Sequence, residues 1–153
     1  MTVRESRLLH AVELLNEKIL LLTTSLFRED YQAIWFTKGK GYTFNFGAQK
    51  EMTQCYEGSI GKKTTKHPTE KYSWMIDPLV KNHTNPQGLI LDAFAGSGST
   101  IVSAWKQGRK AIGFEKNPEF FKMAHARCDQ VQQEIQRKIE EELHAQALLL
   151  EAA

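Results

Sequence analysis

The residues best suited to bind a ligand form a loop of small side chains between two predicted elements. Residues 88–92 (GLILD) are a short apolar run, and Gly96 and Gly98 follow it shortly before a stretch that favours a helix. Small residues let a ligand approach the backbone closely. The free N–H groups at the start of the next helix favour a carboxylate or a phosphate. The spacing therefore predicts a ligand-binding loop.

Two acidic residues end the runs that flank this loop. Asp92 ends the first run, and Glu115 ends a second run at residues 110–115 (KAIGFE), 23 positions further on. Asp92 can accept a hydrogen bond from an ammonium or hydroxyl group of a ligand. An acid in the position of Glu115 holds ribose hydroxyls in nucleotide-binding βαβ units. The pair therefore indicates a ligand that contains a ribose.

The pattern fits neither a dinucleotide nor a nucleoside triphosphate. A dinucleotide loop requires a small residue three positions after Gly98, where this sequence has Ile101. A phosphate-binding P-loop requires Gly-Lys-Ser/Thr, which does not occur here. A nucleoside that carries an amino acid fits better, because Asp92 would face its amino group and Glu115 its ribose. We therefore predict S-adenosylmethionine (SAM) as the cofactor.

The elements that must position these residues form a strand, loop, helix and strand. The continuous apolar run at residues 88–92 is typical of a strand buried on both faces of a parallel sheet. Residues 99–107 follow as a helix, which Gly108 ends, and residues 110–115 form the second strand. This order is a βαβ unit and predicts an α/β fold.

The residues upstream of this unit predict a helix, two strands and a loop. A helix is expected over residues 4–26, and aromatic-rich residues 31–37 indicate a strand. Residues 42–46 alternate weakly as a possible second strand, and polar residues 49–65 indicate a loop. The helix is inferred from apolar residues at spacings of three and four, namely Leu8, Leu9, Val12, Leu15, Ile19 and Leu22.

Two further helices are predicted downstream. Residues 73–81 form a short helix, and Asn117 can cap a longer one that has Pro118 at its first position. The longer helix has an apolar stripe formed by Phe121, Ala124, Cys128, Val131, Ile135, Ile139 and Leu143. This stripe indicates either a docked terminal helix or a coiled-coil-like contact with another chain.

Composition and charge exclude several classes of protein. The chain has 153 residues, of which 41% are hydrophobic and 25% charged, as in one globular domain. The longest aliphatic run is residues 19–22, and the first residues lack a signal-peptide pattern. We expect a cytoplasmic protein without a membrane segment. Cys55 and Cys128 are the only cysteines, which excludes a disulfide framework and argues against a metal site.

A basic segment suits nucleic acid. Residues 38–71 contain seven lysines and three glutamates, which leaves a local charge of +4. Lysines neutralise phosphates and aromatic rings stack on bases. Lys62, Lys63 and Lys66 are the predicted phosphate contacts; alternatively, this is a solvated loop whose rings pack inward. The aromatic residues in and beside the segment are Tyr42, Phe44, Phe46, Tyr56 and Tyr72.

Taken together, these motifs resemble those of the amino-group DNA methyltransferases, which modify the exocyclic nitrogen of adenine or cytosine. Residues 92–100 (DAFAGSGST) resemble their cofactor loop, and residues 112–115 (IGFE) resemble the strand that ends in the ribose acid. Residues 66–71 (KHPTEK) resemble the signature that precedes the loop in one permuted branch. Residues 31–45 also look like a stretch upstream of that signature, and the match covers residues 66–127 best.

The resemblance implies a fold, a substrate and a set of site residues. It implies the C-terminal half of a Rossmann-like SAM-dependent methyltransferase fold with long terminal helices, acting on double-stranded DNA in DNA methylation and restriction-modification. His67 is also compatible with a purely structural role. The residues implied to hold the cofactor are Asp92, Ala93, Phe94, Gly96, Ser97, Gly98 and Glu115, with Lys66, His67, Pro68 and Thr69 flanking its methionine end.

One family motif does not occur in the sequence. The Asp/Asn/Ser-Pro-Pro-aromatic motif polarises the target amine and stacks on the flipped base. Residues 77–79 (DPL) and 85–87 (NPQ) lack its second proline and its ring, and the catalytic residues stay unassigned. Three functions therefore stay open: an enzyme completed by a second chain, a non-catalytic cofactor- or DNA-binding module, and a decayed fragment.

The sequence divides into two predicted parts. Residues 1–30 are expected to be a docking or capping helix, and residues 31–153 a truncated methyltransferase domain. A second chain or another copy would dock on the terminal helices. Within the domain, the predicted parts are strands and a basic loop over residues 31–65, a cofactor-binding part over residues 66–127 and a C-terminal helix over residues 128–153.

Overall fold

The computed structural model of the chain describes residues 19–24, 31–36, 43–49 and 55–151. The chain divides into two units, Met1–Thr43 and Phe44–Ala153. The boundary that the sequence predicts after residue 30 stays a prediction.

The first unit contains an antiparallel pair of strands. Strand β1 spans Ile19–Thr24 and β2 spans Tyr31–Phe36, with Ile19 opposite Phe36. The strand predicted near residue 31 is confirmed. The helix predicted over residues 4–26 is wrong from residue 19 to residue 24, and its earlier part lies outside the described residues. A short apolar run followed by two threonines fits a strand as well as a helix, and here the residues of β2 provide its pairing partner.

The second unit contains the predicted βαβ arrangement. Its elements are α1 (Ser73–His83), β3 (Leu89–Asp92), α2 (Ser99–Lys106), β4 (Lys110–Gly113) and α3 (Pro118–Glu151). Strands β3 and β4 are parallel, and their last residues, Asp92 and Gly113, are paired. This arrangement confirms the α/β class and the order of elements inferred from the sequence.

Two expectations for the segment before α1 have different outcomes. Residues 43–48 have no regular secondary structure, so the strand predicted at residues 42–46 is wrong over the described part. Asn45 instead donates from its side-chain amide to the carbonyl oxygens of Lys81 and Thr84, both at 2.7 Å. These bonds satisfy backbone acceptors at the end of α1. The alternation at residues 42–46, from which the strand was predicted, does not indicate this role. The loop predicted at residues 49–65 is confirmed for residues 55–65.

The packing of α2 against α3 determines the position of the glycine loop, which comprises residues 93–98 between β3 and α2. Val102, Cys128 and Val131 form the centre of this contact. Gly98 has φ of +75°, and a Cβ built there would lie 3.3 Å from the Cβ of Ala124. Glycine thus allows both the left-handed turn and the close approach of α3. The predicted cap of α3 is confirmed, because the side-chain oxygen of Asn117 accepts hydrogen bonds from two backbone N–H groups.

The second half of α3 differs from the first. Its buried residues are Ala124, Cys128 and Val131, whereas Leu143 is 60% exposed. The apolar stripe therefore docks on the domain only along its first half. Among the described helices, none combines the length and apolar character that a membrane span would need.

Candidate functional site

The carboxyl ends of β3 and β4 meet at one edge, where the glycine loop returns across them. The backbone N–H of Phe114 donates to the carbonyl oxygen of Asp92, and the N–H of Ala95 donates to that of Phe114, both at 2.8 Å. The loop then tightens through a 2.7 Å bond from the N–H of Gly98 to the carbonyl of Ala95. Asp92 and Glu115 thus follow adjacent parallel strands at the same edge, the usual place of a ligand site in α/β sheets.

Glu115 joins the glycine loop to the start of α3. Its Oε2 accepts a hydrogen bond from the backbone N–H of Gly96 at 2.9 Å, and its Oε1 accepts one from Asn117 at 2.8 Å. A carboxylate has about four acceptor sites, so each oxygen can accept a further bond. The two backbone bonds hold the carboxylate in place and leave it capacity to bind hydroxyl groups.

Asp92 lies where β3 turns into the loop. One oxygen of this half-buried carboxylate accepts a 3.0 Å hydrogen bond from the backbone N–H of Phe94, which closes a tight turn. The ring of Phe94 is 73% exposed, and Ala93 is half-buried. A carboxylate oriented in this way can accept a hydrogen bond from an ammonium group.

His67 packs directly against the loop. The residue is 9% exposed, and its ring lies edge-on to Phe120, with 4.3 Å between ring centroids. A Cβ built on Gly96 would lie 3.1 Å from two ring atoms of His67, and Gly96 has φ of +52°. The Nδ1 of His67 accepts a 3.3 Å hydrogen bond from the N–H of Thr69. These contacts fit the structural role of His67 as well as a place beside a ligand.

The remaining residues of the 66–69 signature are exposed. Lys66, Pro68 and Thr69 are exposed, and His67 alone of the four is buried. In the glycine loop the reverse holds, because Gly96, Ser97 and Gly98 are all buried. The predicted cofactor residues therefore fall into two groups. Residues 96–98 are buried, whereas residues 66–69 form an exposed turn that contacts the loop through the ring of His67.

Sequence reasoning missed a polar cluster behind the loop. The Nη1 of Arg127 lies 3.1 Å from the carbonyl oxygen of Ser97 and 3.0 Å from the hydroxyl of Ser99. It also lies 3.4 Å from Oε1 of Glu70, whose side chain is 3% exposed. Glu70 lies within the 66–71 signature, and Arg127 lies at the end of the segment that the family resemblance covers best. Their partnership has no local signal, since it depends on how α3 packs.

Glu70 is held as a charged group inside its turn. Burial acts to raise the pKa of Glu70, but hydrogen bonds from Thr64 and Thr65 and the charge of Arg127 outweigh it, so that the pKa lies below its usual value. The hydroxyl and the N–H of Thr65 donate to Oε2 at 2.8 and 2.7 Å. The carboxylate is therefore ionised near neutral pH.

Two shallow clefts lie near the sheet. One, of about 200 Å³, is lined by Ala95, Gly113, Glu115 and Phe121 among others, and it therefore reaches the candidate site. The other, of about 280 Å³, includes Gln87 at the amino ends of the strands. Because α/β ligands bind at the carboxyl ends, the first cleft is the better candidate. The described residues contain no group of three or more side chains suited to hold a metal ion.

The predicted phosphate contacts differ in their surroundings. Lys62 and Lys66 are exposed. The ammonium of Lys63 instead donates to the carbonyl oxygens of His67 and Pro68, and so stabilises the signature turn. The rings of Tyr72 and Trp74 stack 6.5 Å apart and donate to loop carbonyls at Gly61 and Ser59. Tyr72 thus packs against the loop, whereas Phe46, another aromatic residue of this segment, is 80% exposed, so both interpretations of the segment stay open.

A family model described as DNA methylase (N6_N4_Mtase) matches residues 17–126. The chain is 38% identical over 90 residues to the Type II methyltransferase M2.LlaDCHI of Lactococcus lactis subsp. cremoris, covering 56% of this chain and 33% of that protein. It is 36% identical over 84 residues to the Type II methyltransferase M2.DpnII of Streptococcus pneumoniae, covering 52% and 31%. The chain therefore spans about a third of the length of these relatives.

A solved structure shares the fold. The crystal structure of an M1.HpyAVI–SAM complex matches with a TM-score of 0.56 and 23% identity, over 83% of this chain and 71% of that one. The likeness confirms the partial Rossmann-like fold predicted from the sequence. That structure contains SAM, the ligand inferred from Asp92 and Glu115.

Proposed function

The chain belongs to the amino-group DNA methyltransferase family, and on that premise we propose that it is the cofactor-binding part of a SAM-dependent enzyme. The enzyme methylates the exocyclic amino group of adenine or cytosine in double-stranded DNA. A second chain with the Asp/Asn/Ser-Pro-Pro-aromatic motif supplies the catalytic groups. The observation that carries the proposal is the convergence of Asp92, the glycine loop and Glu115 at one edge of parallel strands.

The residues at this edge suit the two ends of SAM. The carboxylate of Asp92 would accept a hydrogen bond from the ammonium group, and the start of α2 favours the carboxylate of the methionine part. Glu115 would accept bonds from the ribose hydroxyls with the acceptor sites that Gly96 and Asn117 leave available. Bound SAM supplies an electrophilic methyl group. The protein residues bind and orient the donor.

A second chain is proposed because the two partial matches to the catalytic motif have structural roles. The side chain of Asp77 accepts a 2.6 Å hydrogen bond from the hydroxyl of Ser103 and so ties α1 to α2. The carbonyl of Asn85 accepts a bond from the N–H of Gly88 in a turn. Neither segment has the second proline or the aromatic ring. The same observation favours a second candidate function, a non-catalytic module that binds SAM or DNA.

Methyl transfer separates these two functions. The full chain is incubated with radiolabelled SAM and a library of DNA duplexes, alone and with neighbouring chains that carry the Pro-Pro-aromatic motif. We expect incorporation only in the presence of a partner chain. SAM binding without transfer under every condition would favour the non-catalytic module. The absence of SAM binding would contradict the enzyme and leave only a module that binds DNA.

The DNA part of the proposal has its own test. If Lys62 and Lys66 neutralise phosphates, duplex affinity should fall steeply as salt is raised, with about one unit of log–log slope lost for each lysine removed. Lys138→Met is a matched control, because this lysine lies on the second half of α3 and pairs with Glu134. A salt-independent affinity, or an equal change in the control, would contradict the assigned surface.

A further inference from the structure

Two charged side chains beside the site have no part in the function proposed above. Arg127 lies on α3, and Glu70 lies in the turn before α1, 57 positions earlier in the chain. Their side chains are 19% and 3% exposed. Removing charges from water is costly unless they are paired and hydrogen-bonded. A pair this well shielded, next to a ligand loop, therefore calls for a specific explanation.

Arg127 connects two segments that are otherwise distant in sequence. Its guanidinium contacts the backbone of the glycine loop at Ser97 and the side chain of Ser99 at the start of α2. The hydroxyl of Ser99 in turn donates a 3.0 Å hydrogen bond to the carbonyl of Lys71, next to Glu70. One nitrogen of this cation, Nη1, thus lies beside the loop, the start of α2 and the turn.

Glu70 holds the turn from the other side. Its two oxygens accept hydrogen bonds from the backbone N–H and the hydroxyl groups of Thr64 and Thr65. The turn therefore closes around a single carboxylate, which also faces Arg127. If either charge is removed, the remaining one is left poorly compensated.

The position of this turn matters for the loop because it presents His67. The ring of His67 lies against Gly96, and the N–H of Gly96 donates to the carboxylate of Glu115. A displaced turn would remove the ring that supports the left-handed backbone at Gly96. The orientation of Glu115, the proposed ribose ligand, depends on the same backbone N–H group.

We propose that Arg127 is a positioning residue that, together with Glu70, fixes the glycine loop against the 64–71 turn and so sets the affinity of the chain for SAM. This inference rests on the proposed function. The two side chains act through the backbone of the loop, and they affect the cofactor through Gly96 and Glu115. The competing explanation is that the pair only adds general stability to the fold.

Calorimetric titration of SAM into the full chain tests the effect on affinity. Arg127→Met and Glu70→Gln should each weaken binding by about tenfold or more at a temperature where every variant is folded, as expected for losing hydrogen bonds to charged groups. Lys106→Met is the matched control. Lys106 pairs with Glu134 at 3.7 Å and also joins α2 to α3, but away from the loop. We expect its affinity to equal that of the wild type.

Rescue and coupling test whether the two residues act as one unit. Arg127→Lys keeps a positive charge for Glu70, but its ammonium does not reproduce the position of Nη1 beside Ser97 and Ser99. Its affinity should therefore lie between those of the wild type and Arg127→Met. The double variant Glu70→Gln/Arg127→Met should bind about as well as Arg127→Met alone. Multiplying effects would show independent action and overturn the pairing.

Hydrogen exchange in the chain without ligand separates positioning from general stability. The N–H of Gly96 is bonded to Glu115, and that of Ala104 lies in the fully buried part of α2. Arg127→Met should accelerate exchange at Gly96 by about tenfold and leave Ala104 unchanged. Equal acceleration at both amides would mean that the pair only stabilises the fold, and would overturn the inference.

The outcomes distinguish this inference from the proposed function. If the wild-type chain does not bind SAM, the proposed function fails, and the exchange comparison still decides the role of Arg127. If the wild type binds SAM and Arg127→Met binds equally well, only the inference about Arg127 fails.

Should Arg127→Met not fold, Ser99→Ala removes one contact of Arg127 and keeps the ion pair. We expect it to bind about threefold more weakly, and unchanged binding would overturn the inference.

Discussion

The glycine loop and the second half of α3 are held in opposite ways. The loop owes its position to hydrogen bonds between residues far apart in sequence, such as Gly96 with Glu115 and Ser97 with Arg127. The second half of α3 has pairs one turn apart, such as Arg137 with Glu141. Residues 96–98 of the loop carry no apolar side chain and are buried, whereas this part of the helix has an apolar stripe and is exposed.

Apolar content therefore does not identify the candidate site in this chain. A loop of small residues is buried because two other segments close over it. An apolar stripe is exposed because the domain ends before the helix does. Substitutions in the loop should therefore affect distant residues and ligand affinity together, whereas substitutions in the second half of α3 should have local effects only.

The largest effect is expected from Gly96→Ala. The added Cβ would meet the ring of His67 at 3.1 Å, in a backbone conformation with φ of +52°. We expect a loss of about 3 kcal/mol in the free energy of unfolding, from the positive φ and the clash combined. Chemical denaturation followed by circular dichroism measures this loss.

Two other glycines separate the contributions to this loss. Gly108 also has a positive φ, of +71°, but a Cβ there would have nothing within 4 Å. Gly108→Ala should therefore cost about 1–2 kcal/mol, from backbone strain alone. Gly61→Ala has neither problem and should leave stability nearly unchanged. If Gly96→Ala were no worse than Gly108→Ala, the contact between His67 and the loop would not matter for stability.

The next effect concerns the cofactor. Asp92→Ala and Glu115→Ala should each weaken SAM binding more than tenfold, which corresponds to about 1.4 kcal/mol, because each removes a proposed hydrogen-bond acceptor. Asp129→Ala removes an exposed acid that pairs with His125 on α3 and is the control for lost negative charge. Calorimetry that gives the same affinity for all three variants and the wild type would remove the roles assigned to both acids.

Patterns of neighbouring residues are sufficient to predict the βαβ unit. The βαβ unit follows from the apolar runs, the glycines and the cap at Asn117. The position of Asp92 and Glu115 at the same edge of the sheet follows from the parallel strands. The pair of Glu70 and Arg127 could not be predicted. It depends on the rotation of α3 about its axis and on the path of a turn, and neither leaves a periodic signal.

The strand at β1 was missed for a related reason. A run of four aliphatic residues at 19–22 satisfies helical spacing and strand propensity alike, and strand pairing with β2 decides between them. Lys63 shows the same limit for side chains, because composition suggested a phosphate contact and the structure gives it backbone acceptors within its own turn. Strand pairing overrides the local helical preference at β1, whereas carbonyl oxygens four and five residues further along the chain occupy the ammonium of Lys63.

A smaller effect on stability is expected from pH. The pKa of Glu70 is lowered in the folded chain, so its carboxylate contributes stability above the usual value of 4.5. That contribution should be lost as pH falls from there through the lowered pKa. Glu70→Gln should therefore flatten the fall in unfolding free energy at acidic pH, measured by denaturation at a series of pH values.

Glu134→Gln is the matched control for this pH effect. A hydrogen bond from Lys138, with the charge of Lys106, lowers the pKa of Glu134 in the same direction, but this side chain lies on an exposed helix surface. Salt screens exposed pairs far more than buried ones. The contribution of Glu134 should therefore disappear in concentrated salt, whereas that of Glu70 should persist. Equal salt sensitivity would contradict the burial of the Glu70 pair.

The smallest effect is expected from Leu143→Ala in the second half of α3. Because this side chain is 60% exposed, its truncation should change the unfolding free energy by less than about 0.5 kcal/mol. Val131→Ala on the same helix empties a buried position and should cost several times more. Both are measured at several protein concentrations. A loss at Leu143 that grows with concentration would mean that this stripe is buried against another copy of the chain, and the contrast between local and distant effects would then hold only for the monomer.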